Sequence, residues 1–312
     1  MRRKIGLIGV PLGFGAGKTG SELGVNAMRL TRFRGDTLAG HIRELGFEFT
    51  DHGDVEIVRP SDTSAEGNPK HLAEMLASSA TTIAKLKDML AADEMPIILG
   101  GDHAIAIPTF SAVSSHYRER SEEIGLIWFD AHADINTPET SPSGNIHGMP
   151  LAAIMGRGHP ELVGIGGPGA SVRTEDVIII GLRSVDVEEK NLLREAGVRV
   201  YTMKDIDAYG AARVVRSAIK GLSHVDRVHL SLDLDAVDPE VAPGVGTPVR
   251  GGLTYREAHL LMELVNEAGI ISSLDVVEVN PILDIKNGTA TLAVELVESL
   301  MGRRIIDLPR ER

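Results

Sequence analysis

The sequence predicts a three-layer α/β/α fold around a mainly parallel sheet. Short apolar runs alternate with amphipathic stretches for almost the whole chain, and that rhythm lays helices on both faces of a parallel sheet. The runs are continuous in Val, Ile and Leu, as strands covered on both faces are. Hydrophobic residues make up 43% of the chain and aromatic residues only 4%, so the core is aliphatic.

The first run, residues 5–10, follows a basic start, Met1-Arg-Arg-Lys4. A signal peptide begins in the same way, but glycines and Pro11 break the apolar part and no small-residue cleavage site follows cleanly. A first buried strand is therefore expected. Further strands are expected at 96–99, 124–129, 177–180, 198–201, 228–232 and 273–279. Helical periodicity marks 71–91, 104–117, 188–196, 255–268 and 289–301. Glycine-rich pieces at 13–20, 156–169 and 244–252 are short enough to be loops. With no linker, low-complexity tract or repeat, residues 1–312 are expected to form a single domain.

The formal net charge of −12 argues against nucleic acid as a partner, because phosphate binding needs a basic face. No apolar run reaches the roughly 18 residues of a membrane span, so no membrane partner is expected and a cytoplasmic location is the default. The absence of cysteine removes disulfides, zinc fingers, thiol nucleophiles and Fe–S clusters. Histidine and carboxylates remain as metal ligands.

Those residue types recur where a parallel sheet binds ligands, beyond the carboxyl ends of its strands. Asp130, His132 and Asp134 follow the 124–129 run at every second position, so the strand's alternation sends them to one side. Asp233 and Asp235 follow the 228–232 run with the same spacing, and His103 follows the 96–99 run across a Gly-Gly turn. Six ligands are too many for one catalytic ion that keeps an open position. Shared between two divalent ions, four carboxylates balance the charge if both imidazoles are neutral. Oxygen-rich donors without thiolate favour manganese, and two cations sharing a water lower its pKa and generate hydroxide. Hydrolysis is the expected reaction type. The loop at Gly13 imitates a phosphate-binding loop in its Gly17-Lys-Thr19 ending, but that pattern requires glycine at position 12, which is Leu12.

Gly100-Gly-Asp-His103, Asp130-Ala-His-Ala-Asp134 and Ser231-Leu-Asp-Leu-Asp-Ala-Val-Asp-Pro239 resemble the three metal-binding motifs of the ureohydrolases, the arginase–agmatinase family. The resemblance spans nearly the whole chain. It implies the α/β/α fold, two Mn²⁺ per subunit and hydrolysis of a guanidino group to urea and an amine through a metal-bridging hydroxide. Departures are small: Ala133 lies between two ligands, and Ala236-Val237 stand where Gly-Leu is frequent. The loop 13–20 is less typical, which leaves the role of that rim open.

The loop from Asn136 to Gly148 is similar to that of the arginase branch, where an Asn and a Ser hold the α-carboxylate of L-arginine. The matching positions are Asn136 and Ser143, with Ser141 as a third contact. Asp186 matches the position that meets the α-amino group, Glu278 the guanidinium-binding Glu, and His147 the His proposed to shuttle protons. Thr247 matches a residue that supports that Glu. Agmatine has no carboxylate to satisfy the Asn136–Ser143 donors, so L-arginine hydrolysis to L-ornithine and urea is expected. An agmatinase, guanidinobutyrase or formimidoylglutamase is the alternative. The resemblance also implies a homotrimer or homohexamer; the segment 301–312, rich in arginine, is expected at such a contact.

Overall fold

The computed structural model describes residues 3–61, 67–304 and 306. One sheet of eight strands, every neighbour pair parallel, runs in the order β2-β1-β3-β8-β7-β4-β5-β6. The strands are β1 (Lys4–Val10), β2 (Glu48–Asp54), β3 (Glu94–Gly100), β4 (Ile124–Phe129), β5 (Val177–Leu182), β6 (Arg199–Thr202), β7 (Arg227–Asp233) and β8 (Ile271–Val277).

Alternation along the strands supplies a core on each face of the sheet, the second of them divided into two clusters. Ile127 and Phe129 of β4 join Leu230 and Leu232 of β7 beneath the helices Gly24–Leu30, Ala211–Gly221, Tyr255–Ala268 and Gly288–Leu300. Leu126 and Trp128 face the other way, against Phe110 and Val113 of the helix Ala106–Glu119. Each buried Leu or Ile is worth about 1.5–3 kcal/mol, so a strand with apolar side chains on both faces is strongly held in register.

The expected strands all form, with ends displaced by a residue or two. The last expected strand, 273–279, instead covers Ile271–Val277, and the chain leaves the sheet at Glu278. Expected strand 198–201 begins one residue later, at Arg199. One strand had no sequence signal: β2 reads Glu-Phe-Thr-Asp-His-Gly-Asp and is an edge strand with no fully buried residue. An edge has one neighbour and needs no apolar run. The helices Gly24–Leu30, Leu38–Glu44, Met203–Tyr209 and Ala211–Gly221 also went unread. Of the segment 301–312, residues 305 and 307–312 lie outside the described residues.

The central strands β3, β8, β7 and β4 are consecutive neighbours in the sheet although they are third, eighth, seventh and fourth in the chain. Their carboxyl ends therefore open side by side. Close approach there depends on Gly101, where a Cβ would stand 1.7 Å from the Leu12 carbonyl oxygen. Backbone cannot yield as a side chain does. Gly101→Ala is expected to cost about 2–3 kcal/mol, measured as a lowered urea midpoint at unchanged m-value in metal-free protein. A shift indistinguishable from zero would contradict this packing.

Candidate active site

All six expected ligands converge at this opening. His103 starts the turn after β3, Asp130, His132 and Asp134 follow β4, Asp233 is the last residue of β7, and Asp235 lies in the next turn. His103 is fully buried, and its Nδ1 lies 3.1 Å from Asp130 Oδ2, 3.2 Å from Asp134 Oδ2 and 3.1 Å from Asp233 Oδ2. None of these contacts has hydrogen-bond geometry, so Nδ1 is a buried nitrogen without a hydrogen-bond partner among three carboxylates. His132 Nδ1 lies 2.9 Å from Asp235 Oδ2 and 3.5 Å from Asp130 Oδ1. Among the described residues two groups have metal-binding spacing, His103–Asp130–Asp134 and Asp130–His132–Asp235, and Asp130 belongs to both. Two imidazoles and four carboxylates suit divalent cations with a taste for oxygen.

Neighbours aim these ligands. Ser231 Oγ sits 2.9 Å from His103 Nε2, so an Nε2–H donating there leaves Nδ1 bare to act as a ligand. The His103 ring stacks on Trp128 at 3.9 Å between centroids, and Trp128 Nε1 donates to Asp130 Oδ2 at 2.9 Å. Backbone N–H groups of His132 and Ala131 donate to Asp130 and Asp235. Thr247 Oγ1 donates to Asp235 Oδ2 at 3.1 Å, so its hydroxyl braces a metal-ligand candidate and not Glu278. The Arg183 guanidinium donates to the carbonyls of Asp235, Ala236, Val237 and Val249, pinning the turn after β7. Asp134 (φ 50°) and Glu278 (φ 64°) hold left-handed backbone conformations. Such strain costs about 1–3 kcal/mol per residue and gathers at functional positions.

The electrostatics of the bare donors point the same way. Burial, reinforced by neighbouring carboxylates, raises Asp233 and Asp235 above the usual carboxylate range and Asp134 to about 6. Burial opposes charge on His132, but Asp130 and Asp235 outweigh it and push its pKa up to about 12. Protons are thus filling in for positive charge. A divalent cation supplies that charge directly and reverses the shifts.

On the rim, Glu278 Oε1 accepts the His103 backbone N–H at 3.0 Å and lies 3.2 Å from His147 Nδ1. Asn136 Nδ2 donates to Asp186 Oδ2 at 3.0 Å, across fifty residues of chain. Asp186 also caps the helix Val187–Ala196, where its Oδ1 accepts the Glu189 N–H. Ser141 and Ser143 accept the backbone N–H groups of Gly144 and Asn145, which shapes the loop. Unforeseen from sequence were Asp102, which caps the turn that begins at His103, Thr140, whose hydroxyl donates to Asn136 Oδ1 at 2.8 Å, Arg183, Trp128 and Ser231. The last two had a legible signal, because Trp128–Asp130 and Ser231–Asp233 continue the ligands' period-two spacing inward.

The fold and this donor set define a hydrolase of the parallel α/β/α class with a metal-compatible His/Asp centre. The chain belongs to the arginase family, whose family model matches residues 3–302. It is 45% identical over 306 residues to the arginase of Bacillus subtilis (strain 168), covering 98% of this chain and 100% of that one. The solved structure of Bacillus caldovelox arginase is 45% identical, covers 97% of this chain and 100% of its own, and superposes with a TM-score of 0.92. Entamoeba histolytica arginase in complex with L-ornithine is 29% identical, with a TM-score of 0.88 over 97% of this chain and 100% of that one.

Burial lowers the pKa of His147, but the hydrogen bond and charge of Glu278 outweigh it and raise the value to about 9. The imidazole therefore holds its proton at pH 7.5 and loses it, with the ion pair, as pH rises through 9. In chelator-treated protein, an NMR titration of His147 is expected to report that raised value. In Glu278→Gln the charges of Asp134 and Asp102 still oppose burial, and the midpoint is expected to fall well below 9. Equal midpoints in the two proteins would remove the pairing.

Proposed function

We propose that the protein hydrolyses L-arginine to L-ornithine and urea at a centre of two Mn²⁺ that His103, Asp130, His132, Asp134, Asp233 and Asp235 would hold, with Asp130, common to both ligand groups, between them. When bound, the ion pair supplies a water acidic enough to act as hydroxide near neutral pH. The bare His103 Nδ1 among three carboxylate oxygens is what supports placing cations here.

The observation that carries the substrate reading is the meeting of Asn136 and Asp186 at 3.0 Å on the rim of the His/Asp cluster. An amide donor beside a carboxylate is a receptor for an α-amino acid head: Asn136, with the Ser141 and Ser143 hydroxyls, for the carboxylate and Asp186 for the ammonium. The named relatives are arginases, and one of them was solved with L-ornithine bound, which supports the same head group.

Glu278, buried and ionised, faces the cluster from the next strand end. Burial alone would raise its pKa, but His147 outweighs that and lowers it, so it remains an anion able to pair with a planar guanidinium. That pairing holds the guanidino carbon toward the cluster, a positioning effect of the kind that makes up much of catalysis. His147, protonated at working pH and 3.2 Å from Glu278, is placed to give a proton to the departing amine of ornithine.

No helix among the described residues is long and apolar enough to cross a membrane. The reading places the protein in the cytoplasm as a homotrimer or homohexamer, which sedimentation velocity decides.

Purified protein loaded with Mn²⁺ and offered arginine, agmatine, guanidinobutyrate and formiminoglutamate is expected to release urea fastest from arginine, with two metals bound per chain by elemental analysis. A tenfold preference for agmatine would sink the assignment and favour the agmatinase alternative. Asn136→Ala is expected to lower kcat/KM for arginine by about 10–100-fold, the worth of a hydrogen bond to a charged group, and to leave agmatine turnover nearly unchanged. Equal losses on the two substrates would remove the carboxylate role.

A further inference from the structure

The loop 13–20, between β1 and the turn Ser21–Leu23, touches every loop that carries a metal-ligand candidate or a proton-handling residue. Gly15 O accepts the His147 backbone N–H at 3.1 Å. Ala16 N donates to Asp102 Oδ2 at 3.1 Å, beside His103. Lys18 Nζ donates to Gly246 O at 2.7 Å. Thr19 O accepts Asn280 Nδ2 at 3.0 Å, two residues past Glu278. The strap is rooted at both ends, where Leu12 O accepts the Asp102 N–H at 2.8 Å and Gly20 N donates to Glu22 Oε2 at 2.8 Å.

Three of the four cross-contacts use main-chain atoms of the strap, and one uses a side chain. That side chain, Lys18, belongs to an exposed residue, so its role is not to fill the core. Its acceptor is well placed to matter. A Cβ on Gly246 would stand 3.3 Å from Glu278 Oε2, so Gly246 lies directly against that carboxylate. The next residue, Thr247, donates to Asp235. The Lys18 ammonium therefore ties the segment that holds the His147 main chain to the segment that backs Glu278.

We propose that Lys18 is a positioning residue, the clasp of a strap that fixes His147 in register with Glu278 through Gly15 and Gly246. The strap does not reach Asn136, Ser141, Ser143 or Asp186, so it acts on proton delivery more than on capture of the amino-acid head. The kinetic part of this inference rests on the function proposed above; the structural part does not.

The test uses Lys18→Met and Lys18→Arg in the full chain. In chelator-treated Lys18→Met, hydrogen exchange of the His147 amide is expected to quicken by about fivefold or more as its acceptor loosens, with no change at β4 amides. In the Mn²⁺-loaded enzyme kcat is expected to fall by about tenfold, a modest misplacement, while KM stays within about twofold. Lys18→Arg, which keeps a cationic donor, restores both readouts. Gly15→Ala, whose Cβ would lie 2.6 Å from Asp102 Oδ1, should show the same exchange signature from the strap's other side. Unchanged His147 exchange in Lys18→Met overturns the proposal whatever the substrate is. A KM increase that matches the kcat loss, or failure of Lys18→Arg to rescue, also overturns it. Failure of the parent enzyme to hydrolyse arginine would overturn the function reading alone and leave the exchange measurement to decide this one.

Discussion

Ionised carboxylates repel, and repulsion grows as water is removed, yet Asp130, Asp134 and Asp233 each place an oxygen within 3.2 Å of one buried imidazole nitrogen. Asp235 adds a fourth carboxylate across the same opening. Isolated charges of this kind cost several kcal/mol each to bury. Everything around the opening answers that concentration of negative charge. The raised pKa values of Asp134, Asp233 and Asp235 record what protons alone must do there. The orphaned His103 Nδ1 marks where a cation would relieve it.

The fold meets the constraint with rigid parts. The ligands stand at the ends of strands whose other residues are locked by packing on both faces. Trp128 and Ser231 are themselves strand residues, so the groups that orient Asp130 and His103 move only if the sheet moves. Arg183 places a guanidinium behind the turn after β7 and spends its donors on carbonyls, which steadies the turn without pairing off a ligand. The strained backbone at Asp134 and Glu278 is sustained by these surroundings. It turns two carboxylates inward where a relaxed strand exit would aim them elsewhere.

In the proposed reading, chemistry and selectivity sit on different parts of this frame. The metal-ligand candidates crowd the strand ends, whereas Asn136, Ser141 and Ser143 lie on the loop after β4 and Asp186 on a helix cap after β5. A loop can change its donors without disturbing the sheet, so one frame accommodates related substrates while the ligands stay put. Asp186 does two jobs: it caps the helix Val187–Ala196 through one oxygen and offers the other to Asn136. The helix thereby fixes the position of a rim carboxylate.

The His/Asp cluster was legible in the sequence because it is written in local spacing. Asp130, His132 and Asp134 recur at every second position directly after an apolar run, and Asp233 and Asp235 repeat the spacing, which marks a strand end. The backbone beyond the strand, left-handed at Asp134, completes their convergence. The fold class was legible for the same reason, since burial on both faces leaves continuous apolar runs. Edge strand β2, with its polar residues, and the two short helices before it lacked that imprint. Tertiary structure alone decided that β3, β8, β7 and β4 are neighbours, that Asp186 meets Asn136, that Thr247 braces Asp235, and that the strap from β1 reaches Asp102, Gly246 and His147. Those partners are far apart in the chain, so nothing in local periodicity constrains their distance. Packing of the two aliphatic cores sets it, and with it the geometry on which the chemistry depends.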